Sequence, residues 1–223
     1  MESIKKYIAE CIGTFVLVAF GCGTAVAVGC SSEAGCGYIL TALAFGLVIV
    51  AMAYSIGNIS GCHINPAVSI AMLIRKQLSV KDFVGYVVSQ CIGAAIGCVV
   101  LGILFGFDCG FGANQIQAGW ANGSVGGAFL AEVILTFVFV IAIIGVTSKT
   151  ENSAVSGIVI GLTLALVHIL GIALTGTSVN PARSLMPAIF AGGEALSQVW
   201  IFIAAPLIGG ALAAVVYTYL EKE

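Results

Sequence analysis

Charge is the scarcest property of this chain. Eight Lys and Arg and ten Asp and Glu are spread over 223 residues, 8% of the total, where a soluble domain carries roughly 25%. A water-facing surface cannot be built from so few, which excludes a soluble globular protein, and an apolar content of 60% excludes a disordered one. A net charge of −2 leaves no basic surface, so no nucleic-acid partner is expected. Histidine is also scarce, at two residues, and no tight C-x-x-C or H-x-x-x-H cluster occurs, so neither a metal nor another cofactor is expected. Cysteine is present eight times, but mostly inside apolar runs, which excludes a secreted disulfide scaffold. What remains is an integral membrane protein with the lipid bilayer as its solvent. At roughly 20 apolar residues per crossing, six spanning helices and short connections use most of a single domain, 1–223.

The uncharged intervals locate those spans. Residues 11–32, 34–74, 83–107, 109–131, 133–148, 152–182 and 195–220 contain no Asp, Glu, Lys or Arg. They lack the alternation of a barrel strand, so they predict an all-α fold, with spans at about 5–28, 37–57, 82–106, 126–147, 154–173 and 197–220. Lys5 and Lys6 lead straight into a span too long for a signal peptide, so none is expected. Two intervals exceed one crossing. The stretch 34–74 breaks at Gly57, Asn58, Ser60 and Gly61 and resumes at Asn65-Pro66; 152–182 breaks at Gly171, Thr175, Gly176 and Thr177 and resumes at Asn180-Pro181. The resumed helices, about 66–75 and 181–190, are too short to span. Irregular backbone at membrane depth survives only where it is buried in protein or lines water, and paired broken segments mark a binding or conducting site.

Lys5, Lys6, Arg75, Lys76, Lys81, Lys149 and Lys222 fall on one side of a six-span chain, which the positive-inside rule makes cytoplasmic, with both termini there. Glu33, Asp108 and Glu194 fall opposite, with the sequon at Asn122 and with Cys30, Cys36 and Cys109, among which a disulfide stays open. The halves, about 1–112 and 126–223, repeat each other. Ala9-Glu10 with Thr14-Phe15 matches Ala131-Glu132 with Thr136-Phe137, and Ser60-Gly61…Asn65-Pro66-Ala67 matches Thr175-Gly176…Asn180-Pro181-Ala182. Three spans per half make the copies opposite in orientation, an inverted repeat whose two half-helices meet near the midplane. Asn as N-cap with Pro at the first helical position forms a capped helix start, and two such starts aim two positive helix ends at one spot. Gly13, Gly93, Gly97, Gly209 and Gly210 read as close helix crossings.

Ser60-Gly61-Cys62-His63-Ile64-Asn65-Pro66-Ala67-Val68 and Thr177-Ser178-Val179-Asn180-Pro181-Ala182-Arg183-Ser184 resemble the two signature loops of the aquaporins, the major intrinsic proteins. Ala9-Glu10…Gly13-Thr14-Phe15 and Ala42-Leu43-Ala44-Phe45-Gly46-Leu47 match as well, so the resemblance covers nearly the whole chain. It implies a bundle of six tilted helices and two re-entrant half-helices, a homotetramer in the cell membrane (the inner membrane of a Gram-negative cell), and water as permeant, with no enzymatic activity. Phe45, His168, Thr177 and Arg183 then form a selectivity filter on the extracellular side. Asn65, Pro66, Ala67, Asn180, Pro181 and Ala182 form the pore centre, and Glu10 and Glu132 brace the loops. Cys62, His63 and Ser178 are pore-lining candidates; the repeat maps Cys62 onto Thr177 but on the cytoplasmic side. The second loop has no Cys, so no pore thiol is expected from outside.

Glycerol-conducting relatives carry a second aromatic and a Gly in the filter and an Asp after the Arg; here His168, Thr177 and Ser184 are water-type. Phe202-Ile203 departs from the aromatic pair ending in Trp seen in many water channels, which keeps a channel that also passes glycerol as the alternative. Inverted repeats with broken helices also occur in secondary transporters, and His63 and His168 have Ser, Cys or Thr nearby, but no hydrolase triad order or oxyanion motif is present.

Overall fold

A computed structural model describes residues 2–30, 36–117 and 123–222, with the side chains of Glu2, Ser3 and Cys36 outside that description. Glu33, the sequon at Asn122 and the side chain of Cys36 therefore lie outside the described residues. The chain runs α1 (Glu2–Val16), a π-helical stretch (Leu17–Cys22), α2 (Gly23–Val28), α3 (Cys36–Ser60), α4 (Pro66–Ile74), α5 (Val80–Phe105), α6 (Val125–Thr147), α7 (Ser156–Thr175), α8 (Pro181–Ala191) and α9 (Gly193–Leu220). Among the described residues six helices are long and apolar enough to cross a membrane: Ile4–Val28, Gly37–Ser60, Val80–Phe105, Val125–Thr147, Ser156–Thr175 and Gly193–Leu220. Their ends lie within four residues of the spans expected from the sequence. Ser79 accepts from the Asp82 amide at 3.0 Å and starts α5; Ser124 accepts from the Gly127 amide at 3.0 Å and starts α6.

The packing is paired. The main contacts are α1 with α5, α6 with α9 and α3 with α7; α4 lies on α9 and α5, and α8 on α9 and α5. Each half-helix therefore packs against a long helix of the other half as well as its own. Both termini lie on one face, tied by Tyr7 to Asp82 (2.9 Å), Arg75 to Glu221 (2.8 Å) and Tyr217 to Ser148 (2.9 Å). We call this the terminus face and the other the far face.

The polarity is inverted relative to a soluble protein. Leu47, Ile103, Leu162 and Leu170 lie more than 60% exposed on the outside, whereas Glu10, Gln90, Glu132 and Thr175 are wholly buried. That distribution places lipid outside and the polar groups around an internal path. Among the glycines, a Cβ on Gly209 would stand 2.5 Å from the Val133 carbonyl oxygen, and one on Gly93 would collide with the Cys11 carbonyl, so both mark backbone-to-backbone crossings. Gly13 faces the side chain of Ile64 instead, making room for a re-entrant segment rather than for a helix.

Candidate functional site: a narrow path between two vestibules

Two re-entrant segments build the centre, and they share one backbone design. Gly61, Cys62 and Ile64 have φ of 83°, 51° and 41°; Gly176, Thr177 and Val179 have 74°, 54° and 45°. Left-handed conformations at non-Gly residues cost about 1–3 kcal/mol each and persist only where surroundings over-determine them. Here the surroundings are two buried carboxylates. Glu10 accepts from the Ser60 hydroxyl (2.7 Å), the amides of His63 (2.9 Å) and Ile64 (2.6 Å), and the Gln90 amide (2.7 Å). Glu132 accepts from the Thr175 hydroxyl (2.6 Å) and the amides of Ser178 (2.8 Å) and Val179 (2.9 Å). Charge-assisted bonds of this kind satisfy loop donors that have no water partner, and they offset the cost of burying the acid.

Each segment ends at an Asn whose hydrogen-bonding capacity is divided. Asn65 Oδ1 accepts from the Ala67 amide (2.8 Å), and Asn180 Oδ1 from the amides of Ala182 (3.1 Å) and Arg183 (3.2 Å), capping α4 and α8 behind Pro66 and Pro181. Asn65 Nδ2 donates to the Val179 carbonyl at 2.8 Å, and Asn180 Nδ2 to the Ile64 carbonyl at 2.9 Å. The two segments are thereby cross-tied. Each carboxamide has two N–H donors, so one on each Asn is left for the lumen both residues line.

That lumen is a throat of about 10 Å³, roughly the space one water centre needs. Leu17, Ile49, Phe139 and Leu164 give it apolar walls, while His63, Asn65, Ser178, Asn180 and Arg183 give it polar ones. On the terminus face it meets a cavity of about 540 Å³, with Ile49, His63 and Phe139 lining both. On the far face it meets one of about 520 Å³, with Arg183 lining both. A narrow path thus joins two wide mouths.

Phe45, His168 and Arg183 come together at the far end of the throat. The Phe45 and His168 rings stack with centroids 4.3 Å apart at 22°, and the Arg183 guanidinium carbon lies 5.2 Å from the Phe45 ring. Arg183 Nη1 donates to the Gly112 carbonyl (3.0 Å) and to Asn114 Oδ1 (2.6 Å). Asn114 is itself fixed by Ser184 (2.7 Å) and by its own bond to the Thr175 carbonyl (3.1 Å). His168 Nδ1 lies 2.9 Å from the Leu164 carbonyl, which can only accept, so Nδ1 carries the hydrogen and Nε2 is an acceptor. His168 Nε2, Arg183 Nε and Thr177 Oγ1 are buried without a protein partner. Leaving such a group unpaired costs about 1–3 kcal/mol; His168 and Arg183 line the throat, whereas Thr177 does not. Thr177 itself is fully buried, held by its amide to Thr175 Oγ1 at 3.2 Å, with its side chain against Gly171.

His63 stands at the terminus-face end of the throat. Its Nδ1 lies 3.1 Å from Ser69 Oγ, and its ring meets Tyr86 edge-on at 5.1 Å. Cys62 lines the cavity on that face, half-buried. Ser178 Oγ bonds Ser184 (2.6 Å) and the Phe202 carbonyl (3.2 Å). Cys30 and Cys109 carry free thiols, and both line the far-face cavity with Arg183. These thiols arrive from the end of α2 and from the α5–α6 connection, not from the second signature loop, and they line the wide mouth rather than the throat. Asn114 and Gln90 were not singled out by the sequence. Neither has a counterpart in the other half, so the repeat gives no signal for them.

Residues 1–217 match the family model described as major intrinsic protein. A protein described as Aquaporin Z from Bradyrhizobium diazoefficiens is 43% identical over 227 residues, covering 99% of this chain and 95% of that one. A second Aquaporin Z, from Rhodopseudomonas palustris, is 40% identical and covers 98% and 94%. Among solved structures, the X-ray structure of the aquaglyceroporin from Plasmodium falciparum superposes with a TM-score of 0.85 at 24% identity, covering 99% of this chain and 97% of that one. At that identity the likeness speaks for the fold.

Proposed function

Because the chain belongs to the major intrinsic protein family, a family of membrane channels, we propose that it is a water channel: a passive, single-file path for water that excludes protons and ions. The observation that carries this reading is the throat of about 10 Å³, lined by two Asn amides and joining two cavities fifty times larger or more. The names of the two 40–43% identical relatives support it.

The mechanism follows from the geometry. Glu10 and Glu132 hold the loop N–H groups on the side away from the lumen, which turns the neighbouring carbonyls toward it as a row of acceptors. The opposite wall is apolar, so water is held weakly. At the centre the free N–H of Asn65 and that of Asn180 donate to one water oxygen, turning its hydrogens outward and interrupting a proton wire. The positive ends of α4 and α8 and the charge of Arg183 repel cations and protons. Phe45, His168, Thr177 and Arg183 act as the filter. Arg183 donates and His168 accepts, and their bulk restricts passage to a molecule of water's size. No cofactor or metal takes part.

In this reading the two halves, 1–112 and 126–223, are inverted copies forming one channel domain. The protein assembles as a homotetramer in the cell membrane with a path in each subunit. Both termini are cytoplasmic, so the terminus face is the cytoplasmic one, a reading that the Lys and Arg distribution supports. The test is osmotic shrinkage of proteoliposomes after a sucrose step. Shrinkage well above that of empty vesicles, unaffected by sodium or proton gradients, supports the channel. Dependence on either gradient would make it a coupled transporter.

A further inference from the structure

We propose that Gly21, which no sequence motif marks, is a specificity-determining position: its bare backbone lets the Phe45 ring lie back and so sets the bore of the filter. The proposal rests on the reading of Phe45 as a filter residue.

The cause begins in helix one. Leu17–Cys22 winds as a π-helix between α1 and α2, and single π turns inside α-helices are frequent at functional sites. Here the wide turn sends Phe20 outward, 63% exposed, while Leu17, Val18, Gly21 and Cys22 face inward. Gly21 thereby lands against the edge of the Phe45 ring. A Cβ built on Gly21 would lie 2.5 Å from Phe45 Cε1, 2.7 Å from Cδ1 and 2.9 Å from Cζ. Carbon atoms rest at about 3.5–4.0 Å, so the ring would have to retreat by about 1 Å.

The ring has little choice of direction. It is rigid, so no flexible end can bend aside. Its backbone is pinned one residue on, at Gly46, where α3 meets α7 so closely that a Cβ would stand 2.6 Å from the Gly161 carbonyl oxygen. His168 stacks on it at 4.3 Å. The open space the ring borders is the throat, which has room for about one water. An added methyl at position 21 therefore acts through Phe45 to close the path, although Gly21 itself does not line it.

The experiment compares G21A, F45L and the double variant G21A/F45L in proteoliposomes, scoring water and glycerol flow per reconstituted channel together with the melting temperature in detergent. G21A is expected to lower water flow by about an order of magnitude, since pore diameter governs passage. F45L alone is expected to raise the glycerol-to-water ratio, and the double variant to recover water flow because the shorter side chain leaves room for the methyl. Unchanged flow in G21A overturns the proposal. So does a loss of flow that F45L does not rescue, or a failure to fold shared by G21A and the double variant; either would mean that Gly21 serves packing alone. If F45L leaves the ratio unchanged, the filter reading falls and this proposal with it. A changed ratio in F45L with normal flow in G21A removes the proposal only.

Discussion

His168 is the residue on which the proposed filter turns. Its ring stacks on Phe45 and leaves Nε2 without a protein partner in the throat that Arg183 also lines, so it offers both bulk and an acceptor. Removing it as H168G should widen the filter and raise glycerol permeability by about tenfold while water flow persists, because diameter and lining groups set selectivity in such paths. Glycerol-driven reswelling of proteoliposomes measures this; equal glycerol rates in wild type and variant would place the restriction elsewhere. The thiols make a second residue-scale prediction. Cys30 and Cys109 line the far-face cavity and Cys62 the terminus-face one. A membrane-impermeant mercurial applied outside intact cells should therefore slow osmotic flow, and C30S/C109S should abolish that effect while C62S leaves it. Inhibition by the outside reagent that survives C30S/C109S and also C30S/C36S/C109S would contradict the assignment of faces. At this scale the sequence was unevenly legible. Asn65, Asn180, Glu10 and Glu132 declared themselves because each pair sits in matching motifs of the two halves. Asn114, which anchors Arg183 at 2.6 Å, and Gly21, which faces Phe45, have partners far away in the chain. No periodicity or repeat points to such contacts.

The elements were more legible than their joints. Charge-free runs placed the spans to within a few residues because lipid tolerates no unpaired charge at the centre of a crossing. The Asn-Pro pairs placed α4 and α8 because capping chemistry is local. The π-helical stretch at Leu17–Cys22 left no trace in the sequence; it packs on α3 and α5, contacts that no local pattern shows. The re-entrant segments lean heavily on the two carboxylates, which take the amides of His63, Ile64, Ser178 and Val179 beside the left-handed residues. E132Q tests that dependence. The amide nitrogen would present a donor to loop amides that need acceptors, so at least one of the Ser178 and Val179 N–H bonds is lost. A cost of roughly 2–4 kcal/mol is expected, made up of the lost bond and a buried donor left unpaired. Thermal unfolding in detergent should shift downward and water flow should fall with it. An unchanged melting temperature would show that the loop holds its shape without the acid.

At the scale of the whole molecule, the fold presents apolar side chains outward and concentrates polarity along one axis, with wide mouths at each face and about one water's width between them. Among the described residues the buried charges are held in place: Glu10 and Glu132 spend their oxygens on loop donors, and Arg183 is tied to Gly112 and Asn114. That argues for a fixed sieve rather than a pump. The measurement that tests this most directly is stopped-flow light scattering of the same proteoliposomes challenged first with sucrose and then with glycerol. The account predicts rapid shrinkage in both, far faster than for empty vesicles, and no faster reswelling in glycerol than empty vesicles show. Shrinkage no faster than in empty vesicles, or glycerol reswelling that keeps pace with water, would contradict a water-selective single-file path.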